Sequence, residues 1–293
     1  MYEQISMFDQ TDGREPETIT WNLWHGCTRV STGCKHCYMF RRDEEVGKDP
    51  TRVYKTKSFN TPIEKYKKSG LYKIPSGSLI YTCFSSDFFH PDADAWRADA
   101  WAIMKERGDC TFEMLTKRPE RIRNALPADW IRYADGSPAP LSAAVDGTKI
   151  RYGYPNVHIG VTCEDQYWAD QRLPVYLSTP LPHYSITHEP MLSQINIKPY
   201  LSSPLWQRKA ASGEMKSIIE SVTCGGESGP EARTCDFGWV VNSHLQCVEY
   251  GVQFYYHQTG AKLIRGSKLY TIARELQHSQ AQKAGLDYIP PDS

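Results

Sequence analysis

The sequence predicts an α/β protein whose parallel strands build a full or partial (β/α) barrel, and three observations lead there. Seven short apolar runs recur along the 293 residues, each closing on a polar turn. Segments with apolar residues at helical spacing lie between several of them. No Gly-x-Gly-x-x-Gly follows the first run, so the phosphate turn of an open dinucleotide fold is missing. Strands alternating with helices favour a parallel sheet joined by right-handed crossovers.

In chain order the expected strands are Ile19–Trp24, Leu79–Phe84, Phe112–Thr116, Val157–Thr162, Tyr184–Thr187, Ile218–Thr223 and Val252–Tyr256. Helical spacing marks Asp94–Arg107, Gln166–Leu177 and Phe237–Tyr250. Residues 127–155, rich in Gly, Pro, Ala and Asp, read as a loop insertion, and 202–214 as a second loop. The expected organisation is an N-terminal extension over 1–18, a barrel domain over 19–265 carrying the 127–155 insertion, and a C-terminal extension over 266–293.

Lys plus Arg and Asp plus Glu both number 34, so no overall charge points to a nucleic-acid coat or an anionic membrane. A local basic patch stays open, because net charge does not see patches. Nothing resembles an apolar leader or a membrane span, and a cytoplasmic protein is expected. Nine cysteines spread along such a chain read as buried thiols or metal ligands rather than as a disulfide framework.

Five expected strands end on Thr followed by a residue with reactive chemistry: Thr82-Cys83, Thr116-Lys117, Thr162-Cys163, Thr187-His188 and Thr223-Cys224. In a parallel barrel the C-terminal strand ends surround one mouth, where the chemistry collects. Cys83, Cys163 and Cys224 end the second, fourth and sixth strands. They are candidates for a second metal site or for a hydrogen-atom donor, against the plainer reading that free Cys is a small residue that buries well. His188 is a further catalytic candidate. Cys110, Cys235 and Cys247 carry no functional expectation.

The densest signal is the loop after the first strand, where Cys27, Cys34 and Cys37 follow one another with Gly26 and Gly33 between and beside them. Three thiolates without an evident fourth ligand suit an iron–sulfur cluster with one open iron. A closed zinc site would have to borrow a distant His or Cys. Both remain open on spacing alone.

On these residues the chain resembles the radical S-adenosylmethionine (SAM) superfamily, although its Cys-x6-Cys-x2-Cys departs from the common Cys-x3-Cys-x2-Cys. It is more closely similar to a phage-associated three-cysteine family of unassigned activity. That likeness rests on Trp21-Asn-Leu-Trp-His-Gly-Cys27, Cys34-Lys-His-Cys37-Tyr38, Leu115-Thr-Lys-Arg-Pro119, Gly160-Val-Thr-Cys-Glu164, His188-Glu-Pro190 and Gly225-Gly-Glu-Ser-Gly229.

The resemblance implies a [4Fe–4S] cluster on Cys27, Cys34 and Cys37, with SAM on the open iron. It further implies an external one-electron reductant and a 5′-deoxyadenosyl radical acting on an unidentified substrate. It points to His36 near the adenine, to Tyr38 as a further cofactor-binding candidate, and to Ser85, Ser86 and Asp87 in the place where the superfamily holds the SAM amino group. Lys117, Arg118 and Arg172 are candidates for the SAM carboxylate or an acidic substrate. Glu164 and Glu189 are candidates for ribose hydroxyls or the amino group, and Gly225, Gly226 and Glu227 for the adenine or ribose edge. The alternatives are a non-catalytic zinc- or cluster-stabilised phage or defence protein that binds nucleic acid, and a nucleic-acid repair lyase.

Overall fold

A computed structural model describes residues 12–144, 148–209 and 215–291. Parts of four expected segments lie outside the described residues: 1–11, 145–147, 210–214 and 292–293. Seven strands form the main sheet: β1 (Thr18–Trp21), β2 (Leu79–Thr82), β3 (Thr111–Thr116), β4 (Val157–Thr162), β5 (Tyr184–His188), β6 (Ile219–Gly225) and β7 (Gln253–Gln258). They are parallel and hydrogen-bonded in chain order, β1-β2-β3-β4-β5-β6-β7. Sequence neighbours are sheet neighbours throughout, whereas a doubly wound sheet reverses its order part-way. The order has two ends, which fits a partial rather than a full barrel.

The helices are α1 (Tyr38–Glu45), α2 (Asp94–Glu106), α3 (Pro119–Ala125), α4 (Gln166–Leu177), α5 (Lys198–Ser202), α6 (Phe237–Glu249) and α7 (Gln277–Lys283). The chain divides into two compact units. The first takes residues up to Thr28, Asp49–Ile159 and Thr179–Pro182; the second takes Arg29–Lys48, Gly160–Ser178 and His183 onward.

In the first unit α2 buries Arg97, Ala100, Trp101 and Met104, an i, i+3, i+4, i+7 stripe. Trp101 meets Phe88 edge-on with centroids 4.9 Å apart and Trp130 at 5.6 Å. Full burial of each such side chain is worth roughly 1.5–3 kcal/mol. The 127–155 insertion is not a plain loop: Ile131–Tyr133 pairs antiparallel with Ile150–Tyr152. Trp130 stacks on Tyr154 at 5.5 Å and donates its indole N–H to Pro180 O at 2.8 Å. Three-residue strands are too short to show a period, so the aromatic anchors were the only signal in the sequence.

In the second unit Asp165 caps α4 by accepting the Trp168 N–H at 2.9 Å, and Asp236 caps α6 by accepting that of Gly238 at 2.7 Å. The segment after residue 265 folds back onto this unit. Lys268–Thr271 pairs with Lys262–Arg265, and Phe254 and Tyr288 exchange backbone hydrogen bonds at 2.9 Å.

Each unit leaves one sheet face polar and partly open. In the second unit Ser185, Ser221 and Gln253 stand in one register row, and Thr187, Thr223 and Tyr255 in the next. In the first unit Thr20, Tyr81 and Glu113 form such a row. Of these only Thr187 is buried, while alternate residues such as Ile80, Phe112, Ile186 and Val222 are fully buried. Parallel sheets ordinarily bury both faces. Among the described residues no helix is long and apolar enough to cross a membrane.

Candidate functional site

The three loop cysteines differ from the rest in exposure. Cys27, Cys34 and Cys37 are half-buried, and the other six cysteines are buried. The division between units falls after Thr28, so Cys27 belongs to the first and Cys34 and Cys37 to the second.

Around Cys27 the backbone is held on all sides. Its N–H donates to Pro50 O at 2.9 Å, and Gly26 N donates to Ser85 O at 3.2 Å. Ser85 and Ser86 complete this frame: Ser85 N donates to Asn22 Oδ1 at 2.9 Å, Ser85 Oγ to Trp24 O at 3.2 Å, and Ser86 Oγ to Gly26 O. Asp87 accepts from Thr116 Oγ1 at 2.8 Å, Lys117 N at 3.1 Å and Phe89 N at 2.9 Å, tying the end of β2 to the end of β3. Buried Arg118 donates from Nη2 to Thr28 O and Thr28 Oγ1 at 2.9 Å each, and that nitrogen lies 3.9 Å from Cys27 Sγ. Arg118 Nε is buried without a hydrogen-bond partner. His90 Nδ1 accepts from Asp92 N at 3.2 Å, so its proton sits on Nε2, 3.0 Å from Thr28 Oγ1. Burial, then the Arg118 charge, keeps the His90 pKa below its ordinary value. The Lys117 ammonium meets no carboxylate among the described residues.

Cys83 follows β2 with φ at +66°, the one non-glycine residue with positive φ among those described. Burial pushes its thiol pKa well up, and the charges of Asp87 and Cys27 add to that.

In the second unit, the segment carrying Cys34 and Cys37 is gripped by distant acids and a guanidinium. Glu164, fully buried, accepts Gly33 N on Oε1 at 3.0 Å and Arg172 Nη1 on Oε2 at 2.6 Å. Arg172 Nη1 also donates to Thr162 O at 2.7 Å, and its guanidinium lies 4.2 Å over the Trp168 ring. Thr32 Oγ1 donates to Asp165 at 3.1 Å, and Thr32 O accepts from Arg233 Nη1 at 2.9 Å. Arg233 is itself aligned by Glu227, Nε to Oε2 at 2.9 Å. Burial alone would raise the Glu227 pKa, but the Arg233 hydrogen bonds outweigh it and hold the carboxyl low. His36 Nδ1 lies 3.1 Å from Glu231. Cys37 precedes α1, and Tyr38, the first residue of that helix, carries Arg42 over its ring at 5.6 Å. Beside His36 and Cys37 a small cavity sets Arg29, Lys35 and Arg41 against the carboxylates Glu44 and Glu231, and Arg29 pairs with Glu44 at 3.5 Å.

The glycine motif is explained by close approaches within the protein. A Cβ on Gly225 would sit 2.6 Å from the Glu189 carboxylate; one on Gly226 would run into the Thr259 carbonyl, and one on Gly229 into the Arg41 guanidinium. Glu189 in turn accepts from His257 Nδ1 at 2.8 Å and from Gln258 Nε2. His188 is fully buried; its Nδ1 donates to Cys163 O at 2.7 Å, which leaves Nε2 a lone pair without a hydrogen-bond partner. Burial lowers its pKa to about 4.

Cys163 and Cys224 are both fully buried. Cys163 interacts with Tyr176 of α4 and Tyr200 of α5, whereas Cys224 interacts with Cys247 and Ser243 of α6 and with Cys235. Burial pushes the Cys224 thiol pKa well up. Among the described residues no three or more His, Cys, Asp or Glu side chains are gathered to hold a metal ion.

Residues 15–286 match the family described as protein of unknown function, DUF5131. The chain is a DUF5131 protein. No curated protein matches it, and no solved structure does. Two residues at this site escaped sequence reasoning in the DUF5131 chain: Arg233 and Glu231 grip the loop from positions with no motif of their own. Asp165 stood in a strand-end motif without a role, and Arg118, expected to meet a carboxylate of SAM or substrate, is held by Thr28 and Asp87.

Proposed function

We propose that the chain is a radical SAM enzyme in which Cys27, Cys34 and Cys37 hold a [4Fe–4S] cluster. The observation that carries this reading is the exposure of the thiols: these three alone among nine are accessible to an inorganic centre. Two features support the fit. Arg118, ion-paired through Nε with Asp87 at 3.9 Å, places its Nη2 3.9 Å from Cys27 Sγ, which suits a thiolate and the negative charge of a thiolate-held cluster. Glu164, Asp165 and Arg233 fix the backbone on the N-terminal side of Cys34, so that loop is held without its metal.

A cluster held there would supply reductive chemistry: an electron taken from an external one-electron donor would cleave SAM to methionine and a 5′-deoxyadenosyl radical. The chain's own part is binding and orientation. Lys117, which follows β3 and whose ammonium meets no carboxylate among the described residues, is suited to a carboxylate group of SAM or substrate. The open polar rows, Ser185-Ser221-Gln253 and Thr187-Thr223-Tyr255, suit a substrate rich in hydrogen-bonding groups. The three alternating thiols are left out of this proposal, because all three are buried and no three ligating side chains gather among the described residues.

Anaerobic reconstitution with iron and sulfide tests the reading. The expected product is brown, shows broad thiolate-to-iron absorption, and on reduction cleaves SAM to 5′-deoxyadenosine and methionine. Replacing Cys27, Cys34 or Cys37 by Ala abolishes both properties. A colourless protein that retains one zinc overturns the proposal in favour of a metal-stabilised binding protein.

A further inference from the structure

A second group of metal-binding side chains stands in the second unit, on β7 and α7. His257 and His278 bring their rings to 4.6 Å between centroids, inclined at 66°. Both rings are fixed through Nδ1. His278 Nδ1 donates to the backbone carbonyl of His257 at 2.9 Å, and His257 Nδ1 is held by the Glu189 carboxylate at 2.8 Å. Each ring therefore keeps Nε2 for another partner, and both residues are exposed.

This is the arrangement that metal-binding histidines use. Their second nitrogen almost always donates to a carboxylate or a backbone carbonyl, which sets the tautomer and makes Nε2 the more basic ligand. Here one ring has the carboxylate and its neighbour has the carbonyl. Glu189 is itself fixed by Gln258, and Gly225 leaves room for it, so the support behind His257 is built in. Beside the rings lies a cavity lined by Gln258, Arg274, Glu275 and His278. Its lining sets one carboxylate, Glu275, against one guanidinium, Arg274, and the Glu189 carboxylate stands behind His257.

We propose that His257 and His278 form a two-imidazole site for a divalent transition-metal ion of the zinc class, completed by water, that fastens α7 to β7. Imidazole ligands select zinc, nickel and copper over magnesium and calcium. Two protein ligands with water make a site of moderate affinity, in keeping with the absence of any group of three ligating side chains among the described residues. The site shares no residue with the cysteine loop and does not depend on the cluster.

Zinc titration of the full chain against a chromophoric chelator tests this. The loop cysteines take up zinc of their own, so the measurement is the difference between parent and variant. His257→Ala and His278→Ala are each expected to lose one zinc-binding event. Glu189→Gln is expected to keep that event with affinity weakened about ten-fold, the usual effect of removing an outer partner. In His278→Gln the amide can still reach the His257 carbonyl, so loss of zinc there comes from the missing imidazole and not from a loosened helix. Matching isotherms for parent, His257→Ala and His278→Ala overturn the proposal, as does full zinc binding by His278→Gln.

Discussion

Glu164 accepts the Gly33 N–H on one carboxylate oxygen at 3.0 Å while its other oxygen takes the Arg172 guanidinium at 2.6 Å. A buried ion pair is thereby turned into a backbone anchor next to Cys34. The same contact explains Gly33, since a Cβ there would lie 2.9 Å from the Glu164 carboxylate.

Glu164→Ala is expected to be the most damaging single change around the loop. It leaves a buried guanidinium unpaired, which costs about 3–5 kcal/mol. Glu164→Gln keeps the shape and an acceptor for Gly33 and should cost less. Urea unfolding of the metal-free protein measures both, and equal midpoints for parent and Glu164→Ala would sink the account.

Arg118→Met removes both hydrogen bonds to Thr28 and the cation beside Cys27. Iron retained after anaerobic reconstitution and desalting should drop well below the parent. Unchanged iron content would show that Arg118 does not support the cysteine.

Gly225→Ala presses a methyl group into the Glu189 carboxylate, and overpacking of this kind costs roughly 1–3 kcal/mol. The collision vanishes when Glu189 is shortened, so Gly225→Ala should cost less in a Glu189→Ala background. A double-mutant cycle by thermal unfolding reads the difference. Additive effects would mean that Gly225 is there for another reason.

His188 predicts a pH effect with a definite sign. Its folded pKa, about 4, lies below the ordinary 6.5, so the folded state favours the neutral ring. The stability contribution is full above pH 6.5, falls as pH drops from 6.5 toward 4, and levels off below. The loss amounts to roughly 3 kcal/mol over that window. Denaturant midpoints of His188→Gln should be flatter than the parent's between those limits; parallel curves would contradict the burial account.

Much of the fold was legible because it follows local periodicity. All seven sheet strands lie where the apolar runs place them, and Gln166–Leu177 matches α4 end to end. The short α1 was not legible: eight residues after a metal-like loop give too few turns for a stripe. At the site, sequence identified residue types but not partners. Glu164 and Arg172 read as two groups awaiting a ligand, and the fold closes them on each other. Glu189 read likewise, and it holds His257 and Gln258. Such pairings join strand ends that are far apart in sequence, and no local rule reports them.

The Thr32–Arg233 hydrogen bond spans 201 positions, and the holders Glu164 and Asp165 also come well after the segment they grip. Synthesis runs from the N-terminus, so a ribosome emits Cys34 and Cys37 long before it emits their restraints. During that interval the thiols belong to an unshaped stretch of nascent chain. The tethers that give the loop its form can close only after most of the polypeptide has been made, which places maturation of any centre it carries late in the life of the new molecule.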